Sequence, residues 1–140
     1  PSDPGEPGDE PPPGLVEPGG RPALLVGVGG EEPDIQVPDT ATAGEEITVR
    51  VTTYGLDGCW SRGETAVSAE DMTATVRPYD HEPTGDRICT QAIQEFSHEA
   101  TLTFDRAGTG RVVVEGRRLE DRAAVSFVRE VEVREAGSSP

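Results

Sequence analysis

Histidines are the side chains of this sequence whose titration lies closest to neutral pH, and there are two of them, His81 and His98. His98 lies near the start of a predicted strand, at one of the alternate positions whose side chains face the core. This position favours a hydrogen-bonded histidine at the rim of the core over a metal ligand. His81 lies between Asp80 and Glu82 in a proline- and acid-rich segment, and we predict that it is exposed. Neither position indicates a catalytic base.

The two cysteines, Cys59 and Cys89, are thirty positions apart. Neither has another cysteine or a histidine within four residues, so the spacing does not predict a zinc site or a catalytic thiol. A cupredoxin-like copper site is excluded, because Met72 and His98 are far in sequence from Cys89 rather than in one late loop with it. The spacing therefore predicts a single disulfide, Cys59–Cys89.

Seven acids fall in predicted connections, where carboxylates could bind Ca²⁺. They are Asp57, Glu64, Glu70, Asp71, Asp80, Glu82 and Asp86. No connection has the dense, alternating acids of a dedicated calcium loop, which favours a solvated acidic surface. No serine stands in a nucleophile motif, and no glycine-rich loop joins a strand to a helix. We predict no cofactor and no enzymatic activity.

Aromatic residues offer one candidate binding surface. Trp60 directly follows Cys59, and Tyr54 and Tyr79 lie near it in the predicted pattern. These three side chains could form a small binding patch. The favoured alternative is that Trp60 covers the disulfide and shields the end of a strand.

The composition limits the classes of partner. The formal net charge of −15 leaves no surface suited to nucleic acid or to an anionic membrane. Hydrophobic residues make up 33% and aromatic residues 4%, which predicts a thin, aliphatic core. No stretch approaches the roughly 18 apolar residues that a membrane-spanning helix needs.

Residues 1–34 differ in composition from the rest, with nine prolines, eight glycines and eight acids against one arginine. Such a segment is typical of an extended spacer, and the glycine spacing is too irregular for a collagen triple helix. We therefore divide the chain into an arm at 1–33, a domain at 34–135 and a tail at 136–140.

One apolar run, at residues 23–28, interrupts this arm. Its candidate assembly residues are Leu24, Leu25, Val26 and Val28. In one interpretation the run folds back as the first strand of its own domain. In the other it adds as a strand to the sheet of a neighbouring copy.

From residue 34 onward, apolar residues alternate with polar ones in short runs separated by turn residues. The predicted strands are 35–37, 47–53, 65–67, 72–76, 96–104, 111–117 and 123–134. The pattern predicts an all-β, antiparallel fold of seven to eight strands. It also predicts a helical turn at 90–95 and a hairpin loop at 105–110. Near Arg129 it predicts either a bulge or a strand that leaves one sheet for the other.

Two stretches resemble the immunoglobulin-like or fibronectin-III-like sandwiches of bacterial surface proteins and lipoproteins. They are Thr-Ala-Gly-Glu-Glu-Ile-Thr-Val-Arg-Val at 42–51 and Phe-Asp-Arg-Ala-Gly-Thr-Gly-Arg-Val-Val-Val at 104–114. The position of Cys59 after its strand departs from antibody-type domains and predicts a bridge between loops. The resemblance implies adhesion, spacing or assembly, and it supplies no catalytic residues.

The expected function is therefore that of a non-catalytic structural or assembly module, extracellular or on the cell surface, such as a subunit of a surface polymer or filament. Its expected partners are copies of itself or another surface protein, joined through strand addition by residues 23–28. The alternative is a monomeric ligand- or protein-binding domain of a surface lipoprotein, held on a proline-rich spacer.

Overall fold

The computed structural model describes residues 20–26, 32–83 and 88–136, and this part of the chain contains strands and no helix. The strands are β1 (Arg21–Pro22), β2 (Leu24–Val26), β3 (Ile35–Gln36), β4 (Thr40–Thr42), β5 (Glu46–Gly55), β6 (Ser61–Glu70), β7 (Thr73–His81), β8 (Gln94–Thr103), β9 (Gly108–Arg118) and β10 (Ala124–Arg134). The fold is all-β, as predicted, with ten strands rather than seven or eight.

β5 and β8 form the longest regular pair outside β9 and β10. They pair antiparallel over their whole length, from Glu46 opposite Thr103 to Gly55 opposite Gln94. Alternate residues of each strand are buried because successive side chains point to opposite faces of a sheet. The alternation in the sequence therefore predicted both strands and their inward faces.

The remaining long strands form a second group in the order β6, β7, β9, β10, β4. β6 pairs antiparallel with β7, and β9 pairs antiparallel with β10. β7, however, runs parallel to β9, and β4 runs parallel to β10. The prediction of a purely antiparallel sheet was therefore wrong, because β8 intervenes between β7 and β9 in sequence and pairs elsewhere.

β2 connects the two groups. It pairs antiparallel with β5 through Leu24 and Tyr54, and parallel with β9 through Leu24 and Arg117. All ten strands consequently belong to one mixed hydrogen-bonded sheet.

The predicted hairpin loop at 105–110 is not a hairpin. β8 pairs with β5, whereas β9 pairs with β10, β7 and β2, so this connection carries the chain from one group to the other. Phe104 is buried just before the connection, and a Cβ on Gly110 would lie 2.8 Å from its ring. The glycine therefore makes room for an aromatic side chain that anchors the crossing.

Two other local predictions were wrong, and the prediction of one strand was correct but too short. No helical turn forms at 90–95, where Gln94 already begins β8. The brief strand predicted at 65–67 extends over the ten residues of β6. No bulge occurs near Arg129, because β10 pairs with β9 without a register shift from Ala124 to Val133. Arg129 is half-buried and lies among the inward-facing alternate positions of β10.

The core is thin and aliphatic. Twelve buried residues form one cluster: Leu25, Val49, Val51, Ala74, Val76, Ala100, Leu102, Phe104, Val112, Val114, Val131 and Val133. Eleven of them come from β2, from β5 and β8, and from β7, β9 and β10, and Phe104 directly follows β8. In the described part of the chain, no helix is present that could cross a membrane.

Candidate functional site

β2 lies in a groove that we call the β2 seat, formed by β5, β7 and β9. Leu24 and Leu25 are fully buried there, and Val26 is nearly so. Backbone hydrogen bonds hold both edges of the segment. Ala23 N–H donates to Pro78 O at 3.0 Å, and Arg117 N–H donates to Ala23 O at 2.8 Å. This short segment is therefore an interior strand of the fold.

The seat is shaped by a glycine of β9. A Cβ on Gly116 would lie 2.6 Å from Ala23 O and 2.6 Å from Leu25 Cγ. Any side chain at this position would therefore collide with the backbone of the inserted segment, and Gly116 permits its close approach.

Three of the four predicted assembly residues are placed by the structure. Leu24, Leu25 and Val26 form β2 and pair within their own chain. Val28 lies outside the described residues. The pairing agrees with the first interpretation of the apolar run, in which it folds back as a strand of its own domain.

Four polar side chains, three of them buried and Thr65 half-buried, form what we call the buried polar cluster. Thr53 Oγ1 donates to Asp80 Oδ2 at 2.6 Å, and His98 Nε2 lies 2.8 Å from Asp80 Oδ1. His98 Nδ1 lies 2.7 Å from Thr65 Oγ1. Because carboxylate oxygens accept, the proton of the ring is assigned to Nε2, and Nδ1 then accepts from the Thr65 hydroxyl.

The cluster links β5, β6, β7 and β8. His98 is satisfied, as predicted, but Asp80 lies in β7 and is buried, which corrects its placement in an exposed connection. A cavity of about 700 Å³ lies beside Thr65 and His98. The series hydroxyl, imidazole, carboxylate is the one used in nucleophilic catalysis. Here Thr53 of β5 and His98 of the adjacent β8 each bind one oxygen of the Asp80 carboxylate, and we interpret the cluster as a structural tie.

The disulfide between Cys59 and Cys89 is present, with the Cα atoms 5.5 Å apart. It joins the loop after β5 to the connection before β8, as predicted for a bridge between loops. Gly58 N–H donates to Thr90 O at 2.8 Å, and Gln94 Nε2 donates to Asp57 O at 2.6 Å. The bridge therefore reinforces a hydrogen-bonded contact between the two segments.

Replacing both Cys59 and Cys89 with alanine should lower the free energy of unfolding by about 3 kcal/mol, because the unfolded chain regains the entropy of an open loop. Urea unfolding measures the change, with the wild-type chain under reducing conditions expected to match the variant. A variant as stable as the oxidised wild type would contradict a stabilising role for the bridge.

Asp57, Cys59 and Cys89 are the one group of three metal-ligand side chains that the described residues bring together. Both cysteines are oxidised in the disulfide, so their sulfurs do not serve as thiolate ligands. Of the acids considered for Ca²⁺, Glu64 and Glu70 lie in β6 rather than in connections, and Asp86 is outside the described residues.

The predicted aromatic patch is not an exposed surface. Trp60 and Tyr79 each expose only 5% of their area, which corrects the hypothesis of a binding patch with Tyr54. A Cβ on Gly55 would lie 2.7 Å from Trp60 Cβ and 2.9 Å from the Phe96 ring. Trp60 therefore packs against the end of β5, as the alternative interpretation expected.

A second cavity, of about 510 Å³, lies beside β1, the end of β9 and the start of β10. We call it the arginine cavity, because Arg77, Arg117 and Arg122 line it. The Arg77 guanidinium donates to Glu115 Oε1, at 3.0 Å from Nε. The pKa of Arg77 is raised, and its hydrogen bond to Tyr79 is the largest cause. Burial acts to lower this pKa, but the hydrogen bond and the charge of Glu115 raise it further.

Glu82 pairs with the other two arginines of the cavity. Arg117 Nη2 lies 3.1 Å from Glu82 Oε1, and Arg122 Nη1 lies 3.4 Å from Glu82 Oε2. Burial acts to raise the pKa of Glu82, but the hydrogen bond from Arg117 and the charges of Arg117, Arg122 and Arg21 outweigh it and lower the pKa. Glu82 is therefore a carboxylate at neutral pH.

Sequence reasoning missed the buried polar cluster and the arginine cavity. Their members come from strands that are distant in sequence, and the patterns within each strand do not indicate which strands meet. No protein family, curated protein or solved structure matches this chain.

Proposed function

We propose that this chain is a non-catalytic extracellular assembly module, built as an immunoglobulin-like sandwich and joined to other copies by exchange of β2. The observation that carries the proposal is the β2 seat, in which a three-residue strand is buried and paired on both sides. A neighbouring copy offers the same seat, so exchange of this identical element keeps every contact and costs little free energy.

The sandwich part of the proposal is supported by the core. Its side chains come from β5 and β8 on one side and from β7, β9 and β10 on the other. β3 pairs with β5, whereas β4, three residues later, pairs with β10. A strand that switches between sheets in this way forms a corner of a sandwich. The parallel pair of β7 and β9 departs from the antiparallel sheets of antibody domains.

The extracellular part of the proposal is supported by the disulfide, since such bonds persist in oxidising compartments. The exchange is supported by the sequence that follows the strand. Residues 27–31 connect β2 to the rest of its own domain and read Gly-Val-Gly-Gly-Glu, a composition typical of linkers.

Refolding the full chain at high concentration, followed by size-exclusion chromatography with light scattering, tests the exchange. Dimers or longer assemblies that persist on dilution are expected, because each exchanged strand is buried in the acceptor. A chain lacking residues 1–26 has a seat but no strand to donate. Added to the full chain, it should shorten the assemblies, because its empty seat accepts the free β2 at the end of an assembly and it offers no strand for a further copy.

The matched control lacks residues 1–19 and keeps β1 and β2, so it should assemble like the full chain. A full chain that stays monomeric at every concentration would overturn the proposal. So would a chain lacking residues 1–26 that assembles as well as the control.

One observation favours the second candidate, a monomeric binding domain on a surface lipoprotein. Ile88, beside the disulfide, is fully exposed, and Ile93 in the same connection is half exposed. The disulfide anchors the connection that carries these exposed apolar side chains. A loop that recognises another protein needs both an exposed apolar surface and a rigid attachment to its domain. Under this alternative the full chain is monomeric, and Ile88→Ser weakens capture of the partner without changing stability.

A further inference from the structure

The arginine cavity is positively charged in a strongly acidic chain. The formal net charge of the whole chain is −15, yet three of its twelve cationic residues line this one cavity. Glu115 and Glu82 are the anions paired with them, which leaves three positive charges against two negative ones. A negatively charged ligand is therefore favoured at this position over the rest of the surface.

We propose that the arginine cavity binds the carboxylates of an extended acidic segment, and that its occupant is residues 1–19 of this chain. The inference concerns a different surface from the β2 seat, and it holds whether or not β2 is exchanged.

Arg122 provides the donors for such a ligand. Its guanidinium has five N–H groups, and its contact with Glu82 is a single long one of 3.4 Å. The side chain is 40% exposed, so the other donors are accessible to a second carboxylate. Arginine binds carboxylates in a bidentate manner, which gives geometric selectivity in addition to charge.

The backbone at Arg122 is held in an unusual conformation. Its φ is +61°, in the left-handed region where a residue other than glycine costs roughly 1 kcal/mol. The hydrogen bond from Arg122 N–H to Arg118 O, at 2.8 Å, closes the turn that enforces it. A glycine would relax this turn, whereas the arginine places a cation at the edge of the cavity.

Residues 1–19 have the complementary composition. They contain five acids, seven prolines and no arginine or lysine. Proline-rich segments adopt an extended conformation before binding, so little conformational entropy is lost when they dock. Pro22, Ala124 and Val125 supply an apolar wall beside the arginines, against which proline rings can pack.

The segment also joins the described fold at the cavity. Pro22 lines it, and its carbonyl oxygen accepts a hydrogen bond of 2.6 Å from Arg117 Nε. Gly20 is packed against β7, where its Cβ would lie 2.8 Å from Asp80 O. The first described residue, Gly20, therefore lies close to the arginines, and tethering of the preceding segment at this point gives it an effective concentration of about millimolar. A weak intrinsic affinity is sufficient for occupancy.

The test uses the full-length chain and a synthetic peptide of residues 1–19. In one full-length variant, the five acids of residues 1–19 are changed to amides: D3N, E6Q, D9N, E10Q and E17Q. We call this variant the competitor-free chain, because its own segment no longer competes with the peptide for the cavity. The peptide should bind this variant about tenfold more tightly than the wild-type chain, whose own segment competes. Isothermal titration calorimetry measures the affinity. The Arg Nε–H resonances of Arg77, Arg117 and Arg122 should shift on binding.

Adding Arg122→Glu to the competitor-free chain should weaken peptide binding by about tenfold or more, because it places a negative charge in the cavity. The matched control is Arg50→Glu on β5, an exposed arginine paired with Glu99, and it should leave binding unchanged. Binding should also weaken as sodium chloride is added.

Three results would overturn the proposal. The peptide could bind wild-type and competitor-free chains equally, or Arg50→Glu could weaken binding as much as Arg122→Glu. A peptide with amides in place of its acids could also bind as well as the acidic one. Monomeric behaviour of the full chain would count against β2 exchange only, so the two proposals fail on different measurements.

Discussion

Replacing His98 with alanine is expected to lower the free energy of unfolding by roughly 3–5 kcal/mol. The change removes the 2.8 Å contact with Asp80 and the 2.7 Å contact with Thr65. It also leaves a cavity in a region where His98 and Asp80 expose almost none of their side chains. Asp80 would keep Thr53 on Oδ2, but on Oδ1 it would keep only the long 3.4 Å hydrogen bond from Gly63 N–H. A buried polar group without its partner is more costly than the average hydrogen bond is stabilising.

Urea unfolding at neutral pH measures this effect, and the melting temperature should fall by about 10 °C or more for a domain of this size. His81→Ala is the matched control, because His81 is exposed at the end of the same strand as Asp80. It should change stability by about 0.5 kcal/mol or less. His98→Gln retains a donor for Asp80 and should recover part of the loss. Equal losses for the two alanine variants would contradict the structural tie.

The Thr65 hydroxyl contributes less to the same cluster. Thr65→Val removes its hydrogen bond to His98 Nδ1 and should destabilise the fold by about 1 kcal/mol. The half-buried position of Thr65 beside a cavity lets water replace part of that bond. The expected loss of stability is larger for His98 than for Thr65 because His98 is more deeply buried. The lengths of their hydrogen bonds, 2.8 and 2.7 Å, are nearly equal.

Alternation in the sequence predicted the individual strands well. Val49 and Val51 are buried in β5, and Ala100 and Leu102 are buried opposite them in β8, as their parity indicated. Side-chain alternation reports which residues share a face because its period is a local property of the extended backbone. The disulfide was also predictable, since the alternatives required ligands that the neighbouring sequence lacks.

Strand order was not predictable in the same way. β7 and β9 are each an ordinary alternating strand, and nothing in either one indicates that they lie side by side and parallel. The loop at 105–110 has a hairpin composition, yet burial of Phe104 against Gly110 carries the chain across the fold. Such contacts are decided by packing between distant segments, which a local pattern does not contain.

Asp80 shows the same limit at the level of a single residue. Its neighbours Asp86 and Glu82, with two prolines, gave this stretch the composition of an exposed loop. The side chain is nevertheless buried, because His98 and Thr53 supply partners from strands eighteen and twenty-seven positions away. A buried carboxylate is stable only when such partners exist, and they become visible only in the folded structure.

Replacing Gly116 with valine is expected to displace β2 from its seat and to lower the free energy of unfolding by roughly 3–5 kcal/mol. A Cβ alone would lie 2.6 Å from Ala23 O, and the two valine methyl groups add further collisions with Leu25. Loss of the seat exposes three aliphatic side chains that are now buried. Each contributes roughly 1.5–3 kcal/mol when buried, and the regained backbone entropy of the released residues offsets part of the loss.

Thr109→Val is the matched control, since it adds the same side chain to an exposed position of the same strand. It should leave stability within about 0.5 kcal/mol of wild type. Gly116→Val also separates folding from assembly, because it blocks the acceptor seat while leaving the donor sequence intact. Mixed with wild-type chains, the variant should donate its strand but accept none, whereas a chain lacking residues 1–26 should accept and not donate. Assemblies of Gly116→Val alone, equal to those of wild type, would exclude the β2 seat as the point of contact between copies.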